Sequence, residues 1–221
     1  MHSRRSTSWA LRAPAHWIVW SIVLFAVTIA LGFVAKAIPA VRFDGLDAAV
    51  NGVNSPLLDA AALLLDRLDH PVVVAGILAV VFVILLFAVG WRRALGTCIV
   101  AGAGWLTTLV VKAAVAQPRP STRDLTHVLD ISPATLSYPS GHVVFAAALV
   151  TAMAMVSRAG LPRAIVVIVG TLFVLAVAWS RLYVGVHYGT DVVGGVLNGV
   201  AGAVLVAGLW NLVTQGRRRT R

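Results

Sequence analysis

A histidine and an aspartate four residues apart are the side chains of this sequence best suited to covalent chemistry. His187 and Asp191 close the polar segment 180–191. Residues four apart on a helix share one face, so the carboxylate can hold one imidazole nitrogen as N–H. The other ring nitrogen is then a nucleophile or a base. A buried pair that only stabilises helix packing is the competing interpretation of this segment.

A second histidine, His142, follows Ser140 and Gly141 and precedes an apolar run. Ser140 is a plausible N-cap for a helix that begins there. The free backbone N–H groups of such a helix, together with its dipole, attract an anion. Gly141 lets an oxyanion approach the backbone closely. The four residues 139–142 therefore predict an anion site with His142 at its rim.

Three cations accompany the two histidines. Lys112 sits near the outer end of an apolar run, and Arg119 follows between two prolines that stop the helix and stiffen the chain. Arg181 adds a forked donor that suits phosphate. This inventory fits phosphoryl transfer, in which charge on the phosphate oxygens is held while a nucleophile attacks in line. With no acidic cluster for magnesium, the cations take that role. For Lys112 alone, a cation snorkelling at a membrane interface is an equal alternative.

The elements that position these residues are membrane helices. The 221 residues are 59% hydrophobic and 12% charged, whereas soluble domains carry roughly 25% charged residues. A helix that crosses the hydrocarbon needs about 20 apolar residues. Because lipid cannot satisfy an open strand edge, we expect an all-α bundle of six transmembrane helices. The predicted spans are 17–37, 72–89, 94–115, 142–156, 162–179 and 192–213, of which the fourth is short.

The arginines predict the orientation of this bundle. With the N-terminus inside, the inner segments carry eleven arginines and no acid, and all eight aspartates lie on the other side. Since Lys and Arg accumulate in cytoplasmic loops, the short tails 1–15 and 214–221 are both predicted to be cytoplasmic. The three polar clusters then lie together at the outer face of the membrane.

Segment 46–68 predicts two short helices on the outer surface. Apolar residues recur there at steps of three and four, and Ser55-Pro56 is typical of an N-cap followed by proline at the first helical position. Amphipathicity alone does not separate packing over the bundle from a role in substrate access, and packing is the favoured interpretation. The polar side of these outer helices (44–69) is expected to come from Asp59, Asp66 and Asp69.

Three further features have simple interpretations. The net charge of +10 follows the topology pattern, so we expect no nucleic-acid partner. Cys98, the only cysteine, is predicted to be a small buried hydrophobe without a disulfide. The run 17–37 is longer than the apolar core of about 7–15 residues in a signal peptide, so an uncleaved anchor is favoured over a cleaved signal.

The three clusters resemble the three-part signature of the type-2 phosphatidic acid phosphatase superfamily, which also contains lipid phosphate phosphatases and soluble vanadium haloperoxidases. The family pattern is Lys, six residues, Arg-Pro; then Pro-Ser-Gly-His; then Ser-Arg, five residues, His, three residues, Asp. This sequence matches every defined position over 112–191. Residues 1–221 are therefore interpreted as a single integral membrane phosphatase domain.

The resemblance implies a role for each matched residue. His187 would attack phosphorus to form a phosphohistidine, with Asp191 orienting it. His142 would protonate the leaving oxygen and then help water to cleave the intermediate. No metal or other cofactor is implied. The phosphate oxygens would be held by Lys112, Arg119, Arg181, Ser140 and the Gly141 N–H.

The substrate stays open at this stage. An outward site in a bundle favours a lipid phosphate in the bilayer, such as a polyprenyl diphosphate, phosphatidic acid or phosphatidylglycerol phosphate. A phosphotransferase, in which a lipid or sugar hydroxyl intercepts the phosphohistidine, is an alternative. A non-catalytic transporter or scaffold would have no need of both histidines and Asp191, and six spans argue against a soluble vanadate-dependent oxidant. Sixteen Arg against two Lys, and no Glu, suggest a bacterial plasma membrane. No oligomeric state follows from the sequence.

Overall fold

Every regular element in the described part of the chain is helical, which confirms the all-α prediction. The computed structural model describes residues 9–43, 45–121, 125–129, 131 and 136–219. Short 3-10 turns at Pro39–Arg42 and Arg67–Asp69 supplement the α-helices. The α-helices are α1 Trp17–Ala37, α2 Leu46–Asn51, α3 Pro56–Asp66, α4 Pro71–Val89, α5 Trp91–Val115, α6 Gly141–Val156, α7 Leu161–Tyr183 and α8 Gly189–Arg219.

Five of these helices are long and apolar enough to cross a membrane: α1, α4, α5, α7 and residues Gly189–Thr214 of α8. The sixth predicted span, α6, is apolar but has only 16 residues, or about 24 Å of helix against a hydrocarbon core of about 30 Å. The count of six spans is therefore not confirmed. Most side chains of α6 are buried against protein, so this helix has little need to match the thickness of the lipid.

Two of the helix boundaries that differ from the sequence prediction concern the polar clusters. Helix α7 continues past residue 179 to Tyr183, and α8 begins at Gly189 rather than at 192. Arg181 and Asp191 thus lie on helices and not in a loop, whereas His187 precedes α8. Hydrophobicity makes both helices too short at this end, because these polar residues are fully buried and paired within protein.

The outer segment forms the two predicted short helices, α2 and α3. The hydroxyl of Ser55 accepts a hydrogen bond from the Leu58 N–H at 3.3 Å, and Pro56 is the first residue of α3, as expected. Both helices pack against α7. Some of their apolar side chains are exposed, with Leu57 79% and Leu64 70% exposed. Buried polar residues of α2 and buried apolar residues of α3 face the bundle.

Small residues allow the central helices to approach closely. Helix α8 packs against α1, α5 and α6. At its crossing with α5, a Cβ on Gly202 would lie 2.6 Å from the carbonyl oxygen of Gly104. Backbone atoms cannot move aside as a flexible side chain can, so this contact requires glycine. Close backbone approach at small residues is a main source of helix association in membranes.

We expect Gly202→Ala to destabilise the protein by about 1–3 kcal/mol, the usual cost of overpacking. Gly76→Ala is the matched control, because a Cβ on this α4 glycine would meet nothing within 4 Å. Thermal unfolding of the purified variants in detergent measures both. Equal midpoints for Gly202→Ala and Gly76→Ala would contradict the close α5–α8 contact.

Candidate active site

The three polar clusters meet at one end of the bundle, where α5 and α7 end and α6 and α8 begin. Side chains of different clusters lie close to one another: Arg119 Nη1 is 3.1 Å from His187 Nε2, and Arg181 Nη1 is 3.4 Å from His142 Nε2. Lys112 is in electrostatic range of Arg119 and Asp191. The structure therefore brings together all eight site residues that the sequence predicts.

His187 is held by contacts to both of its ring nitrogens. Nδ1 lies 3.2 Å from the Asp191 carboxylate, and Nε2 lies 3.1 Å from the Arg119 guanidinium. A guanidinium can only donate, so Nε2 must accept and the ring proton belongs on Nδ1, where it is donated to Asp191. The pair forms although His187 lies before α8 and not on the same helical face as Asp191. The Nε2 lone pair of this 1% exposed residue points toward the cations of the site.

Burial is the main cause that holds the pKa of His187 well below its ordinary value, and the nearby Arg119 and Lys112 cations lower it further. The charged form of an imidazole is disfavoured both by desolvation and by like charges. His187 is therefore neutral near pH 7, which is the state that a nucleophile requires.

The Asp191 carboxylate is fixed by donors from three directions. Oδ2 accepts from His187 and from the Tyr188 backbone N–H at 2.9 Å, and Oδ1 accepts from the Gln117 side chain at 3.1 Å. The sequence gives no signal that Gln117 belongs to the site, because it stands two residues before Arg119 and is part of no motif or periodic pattern. Its side chain is fully buried, and this tertiary contact explains why a polar residue is present there.

His142 forms a hydrogen bond with the backbone at the end of α3. Its Nε2 lies 2.7 Å from the carbonyl oxygen of Asp66, which can only accept, so Nε2 carries a proton in this contact. The longer approach of Arg181 to the same nitrogen is secondary, because the Nη1 of Arg181 has a closer partner in the Asp66 carboxylate at 2.5 Å. The other ring nitrogen, Nδ1, faces Asp69 at 3.8 Å.

Two features at the start of α6 bear on anion binding: the Ser140 hydroxyl and the space beside Gly141. Ser140 occupies the predicted N-cap position, but its hydroxyl makes no capping bond. Its Oγ is buried and has no hydrogen-bond partner among the described residues. At Gly141, a Cβ would lie 2.5 Å from an oxygen of Asp69. A carboxylate oxygen already uses the close approach that glycine was expected to give an oxyanion.

The three predicted phosphate-binding cations contact protein acceptors. Lys112 Nζ donates to the Leu136 carbonyl at 2.6 Å, and Arg119 donates to the Val186 carbonyl at 2.8 Å. Arg181 is fully buried and pairs with Asp66. These contacts fix the direction of each side chain.

Two carboxylates of the outer segment also belong to the site. Asp66 ends α3, and Asp69 ends the 3-10 turn that follows it. The sequence predicts both only as part of the polar side of the short helices in 44–69. A signal was present, because the chain has only eight acids and ionisable groups beside membrane spans are functional by default. Among the described residues, no group of three or more His, Cys, Asp or Glu side chains is arranged to hold a metal.

The family model of the PAP2 superfamily matches residues 93–215, more than half of the chain and all three clusters. The chain belongs to the PAP2 superfamily. This finding confirms the family that the three motifs predict. None of the curated proteins in the comparison matches the chain.

Two solved structures share the fold. The transmembrane PAP2-type phosphatidylglycerolphosphate phosphatase from Bacillus subtilis superposes with a TM-score of 0.70 at 23% identity, over 86% of this chain and 94% of that one. Aquifex aeolicus LpxE superposes with a TM-score of 0.57, also at 23% identity, over 73% of this chain and 92% of that one. With the apolar helices, this likeness identifies a multi-pass membrane protein. At such identity it establishes the fold and not the substrate.

The lowered pKa of His187 predicts a pH dependence. A neutral His187 should persist well below pH 6.5, the ordinary histidine value, so the acid limb of kcat/KM that belongs to this group should lie below 6.5. Arg119→Gln removes a cation and should move the limb to higher pH. Profiles are measured with two substrates whose second phosphate pKa values differ, since a limb common to both belongs to the free enzyme. A common limb at or above 6.5 in the unmodified protein would contradict the assignment.

Proposed function

We propose that this protein is a lipid phosphate phosphatase that works through a phosphohistidine on His187. The observation that carries the proposal is the state of this side chain. It is buried and neutral, with its proton directed to Asp191 and its Nε2 lone pair directed at a cluster of cations. A histidine that only stabilised helix packing would not need to direct its lone pair at a guanidinium within a group of three cations. We take residues 1–221 as one domain, with the catalytic region at 112–191.

The reaction proceeds in two displacements at phosphorus. His187 Nε2 attacks, the bond from phosphorus to the leaving oxygen breaks, and a proton from His142 neutralises that oxygen. Water then attacks the phosphohistidine, the P–N bond breaks, and His142 takes the proton of the water. Inorganic phosphate leaves, and both histidines return to their starting states. Asp191 keeps the His187 ring in the productive tautomer throughout.

In this proposal, three positively charged side chains stabilise the negative charge on the phosphate. Three cations converge on the start of α6, where Ser140 and the Gly141 N–H add hydrogen-bond donors. Donors placed in advance around the equatorial oxygens stabilise the charge that these oxygens carry in the transition state. In this proposal no metal ion is needed for catalysis. The cations concerned are Lys112, Arg119 and Arg181.

The location of the site supports a lipid as substrate. The residues lie at the ends of apolar helices, beneath outer helices whose exposed surface is also apolar. A phosphate can therefore reach the cations while its hydrocarbon tail stays in the bilayer. A polyprenyl diphosphate, phosphatidic acid and phosphatidylglycerol phosphate all meet this condition, and the last is the substrate named for the related Bacillus subtilis protein.

The experiment is phosphate release by the detergent-purified protein on these three lipids with excess EDTA present. We expect turnover of at least one lipid, and a loss of at least about a thousandfold in His187→Ala. His16→Ala, an exposed histidine at the far end of the bundle, is the control and should keep full activity. Activity that EDTA removes and magnesium restores would overturn the metal-free mechanism. Phosphate recovered on an added lipid or sugar hydroxyl, and not in solution, would favour the phosphotransferase.

We further propose that the site faces outward, with both termini in the cytoplasm of a bacterial cell. The arginine distribution supports this orientation. In a Cys98→Ser background, Thr126→Cys should react with a membrane-impermeant thiol reagent in intact cells. Ala159→Cys, an exposed position in the connection from α6 to α7, should react only after lysis. The opposite pattern would place the site in the cytoplasm.

A further inference from the structure

Asp69 occupies a defined position beside the second histidine of the site. Its Oδ1 accepts a hydrogen bond from the Trp105 indole N–H at 2.8 Å, and its Oδ2 lies 3.8 Å from His142 Nδ1. The carboxylate reaches this position because residue 141 is glycine, since a Cβ there would lie 2.5 Å from Oδ2. Two independent features of the bundle, an indole donor and a missing side chain, therefore hold this carboxylate against the histidine.

The two nitrogens of His142 face different surroundings. Nε2 faces the phosphate-binding side, where Arg181 lies at 3.4 Å and the Asp66 carbonyl accepts its proton. Nδ1 faces the carboxylate of Asp69. The Asp66 carboxylate also lies 4.0 Å from Nε2. His187 resembles His142 in having an aspartate beside Nδ1, although its Nε2 accepts from a guanidinium. The charged or titratable groups that face His142 are Asp66, Asp69, Arg181 and His187.

We propose that Asp69 is a positioning residue for His142, which makes a second histidine–aspartate pair dedicated to the acid–base steps. This inference rests on the proposed function. When His142 is protonated, Nδ1–H faces the Asp69 carboxylate, and a shift of under about 1 Å turns the 3.8 Å approach into a charge-assisted hydrogen bond. Nε2–H exchanges the Asp66 carbonyl for the leaving oxygen of the substrate.

The proton that leaves His142 in the first step is replaced in the second. As the bond from phosphorus to the leaving oxygen breaks, the Nε2 proton moves to that oxygen, and His142 becomes neutral with its remaining proton on Nδ1. In the second step the attacking water returns a proton to Nε2. Asp69 stays ionised through both steps. Its negative charge offsets Arg181 and favours the imidazolium that must be present when the leaving group departs.

The dependence on the leaving group tests this role. An alkoxide leaving phosphatidic acid needs a proton far more than p-nitrophenolate does, and a general acid typically contributes about 10²–10⁴-fold. In the first-turnover burst, Asp69→Asn should therefore lose at least about tenfold more rate on phosphatidic acid than on p-nitrophenyl phosphate, with little change in KM. Asp69→Glu keeps the charge and should recover part of the loss.

Two further variants separate the positioning role of Asp69 from a general effect on folding. Trp105→Phe removes the indole donor but keeps a ring beside Phe145, which it meets edge-on at 6.1 Å, and it should show the same selectivity in weaker form. Asp59→Asn is the control, because this carboxylate of the neighbouring helix α3 pairs with Tyr183 and His127 instead. It should show no dependence on the leaving group.

His142→Ala measured in parallel separates the possible failures. If it loses rate selectively on phosphatidic acid but Asp69→Asn loses rate equally on both substrates, the Asp69 role is wrong and the proposed function stands. A lower KM in Asp69→Asn without selectivity would show that the carboxylate only repels the phosphate, which also overturns the inference. If His142→Ala itself shows no selectivity, the acid role of His142 and the inference for Asp69 both fail.

Discussion

Asp191 connects the three polar clusters of the chain through its carboxylate and its backbone carbonyl. Its side chain accepts hydrogen bonds from Gln117 in the first cluster and from His187 in the third, and its backbone carbonyl accepts from the Ser140 N–H of the second. All of these contacts are buried. A hydrogen bond to a charged group typically contributes about 1.5–3 kcal/mol. The position of His187, the start of α6 and the end of α5 are therefore set together by one residue.

The segment around α3 supplies negative charge that offsets the cations of this arrangement. Lys112, Arg119 and Arg181 converge in a largely desolvated region, where like charges repel strongly. Asp191 compensates only part of this charge. Asp66 and Asp69 add two carboxylates, one paired with Arg181 and one in electrostatic range of all three cations. The α3 segment thus stabilises a ligand-free site that the membrane helices alone would leave strongly positive.

The sequence predicts the helices and the convergence of the motifs, but not the partners of each side chain. Ser55 and Pro56 specify the start of α3 by local geometry, and the apolar runs locate the long helices by composition alone. The contacts of Gln117, Asp66 and Asp69 depend on how distant segments pack, which no local spacing encodes. The same limit explains His187, whose pairing with Asp191 was predicted from helical spacing but forms across a helix start.

Helix α3 both packs on the bundle and contributes a side chain to the site. Periodicity predicts one apolar side for α3, and the usual inference for a soluble protein would turn that side inward. Here Leu57 and Leu64 of that side are exposed, whereas Asp66 and the fully buried Ala62 face the bundle. The inner side of α3 therefore combines polar and apolar contacts, so packing and participation in the site are not alternatives. The end of α3 also supplies the carbonyl that holds His142, so any movement of α3 must alter the contacts of this histidine.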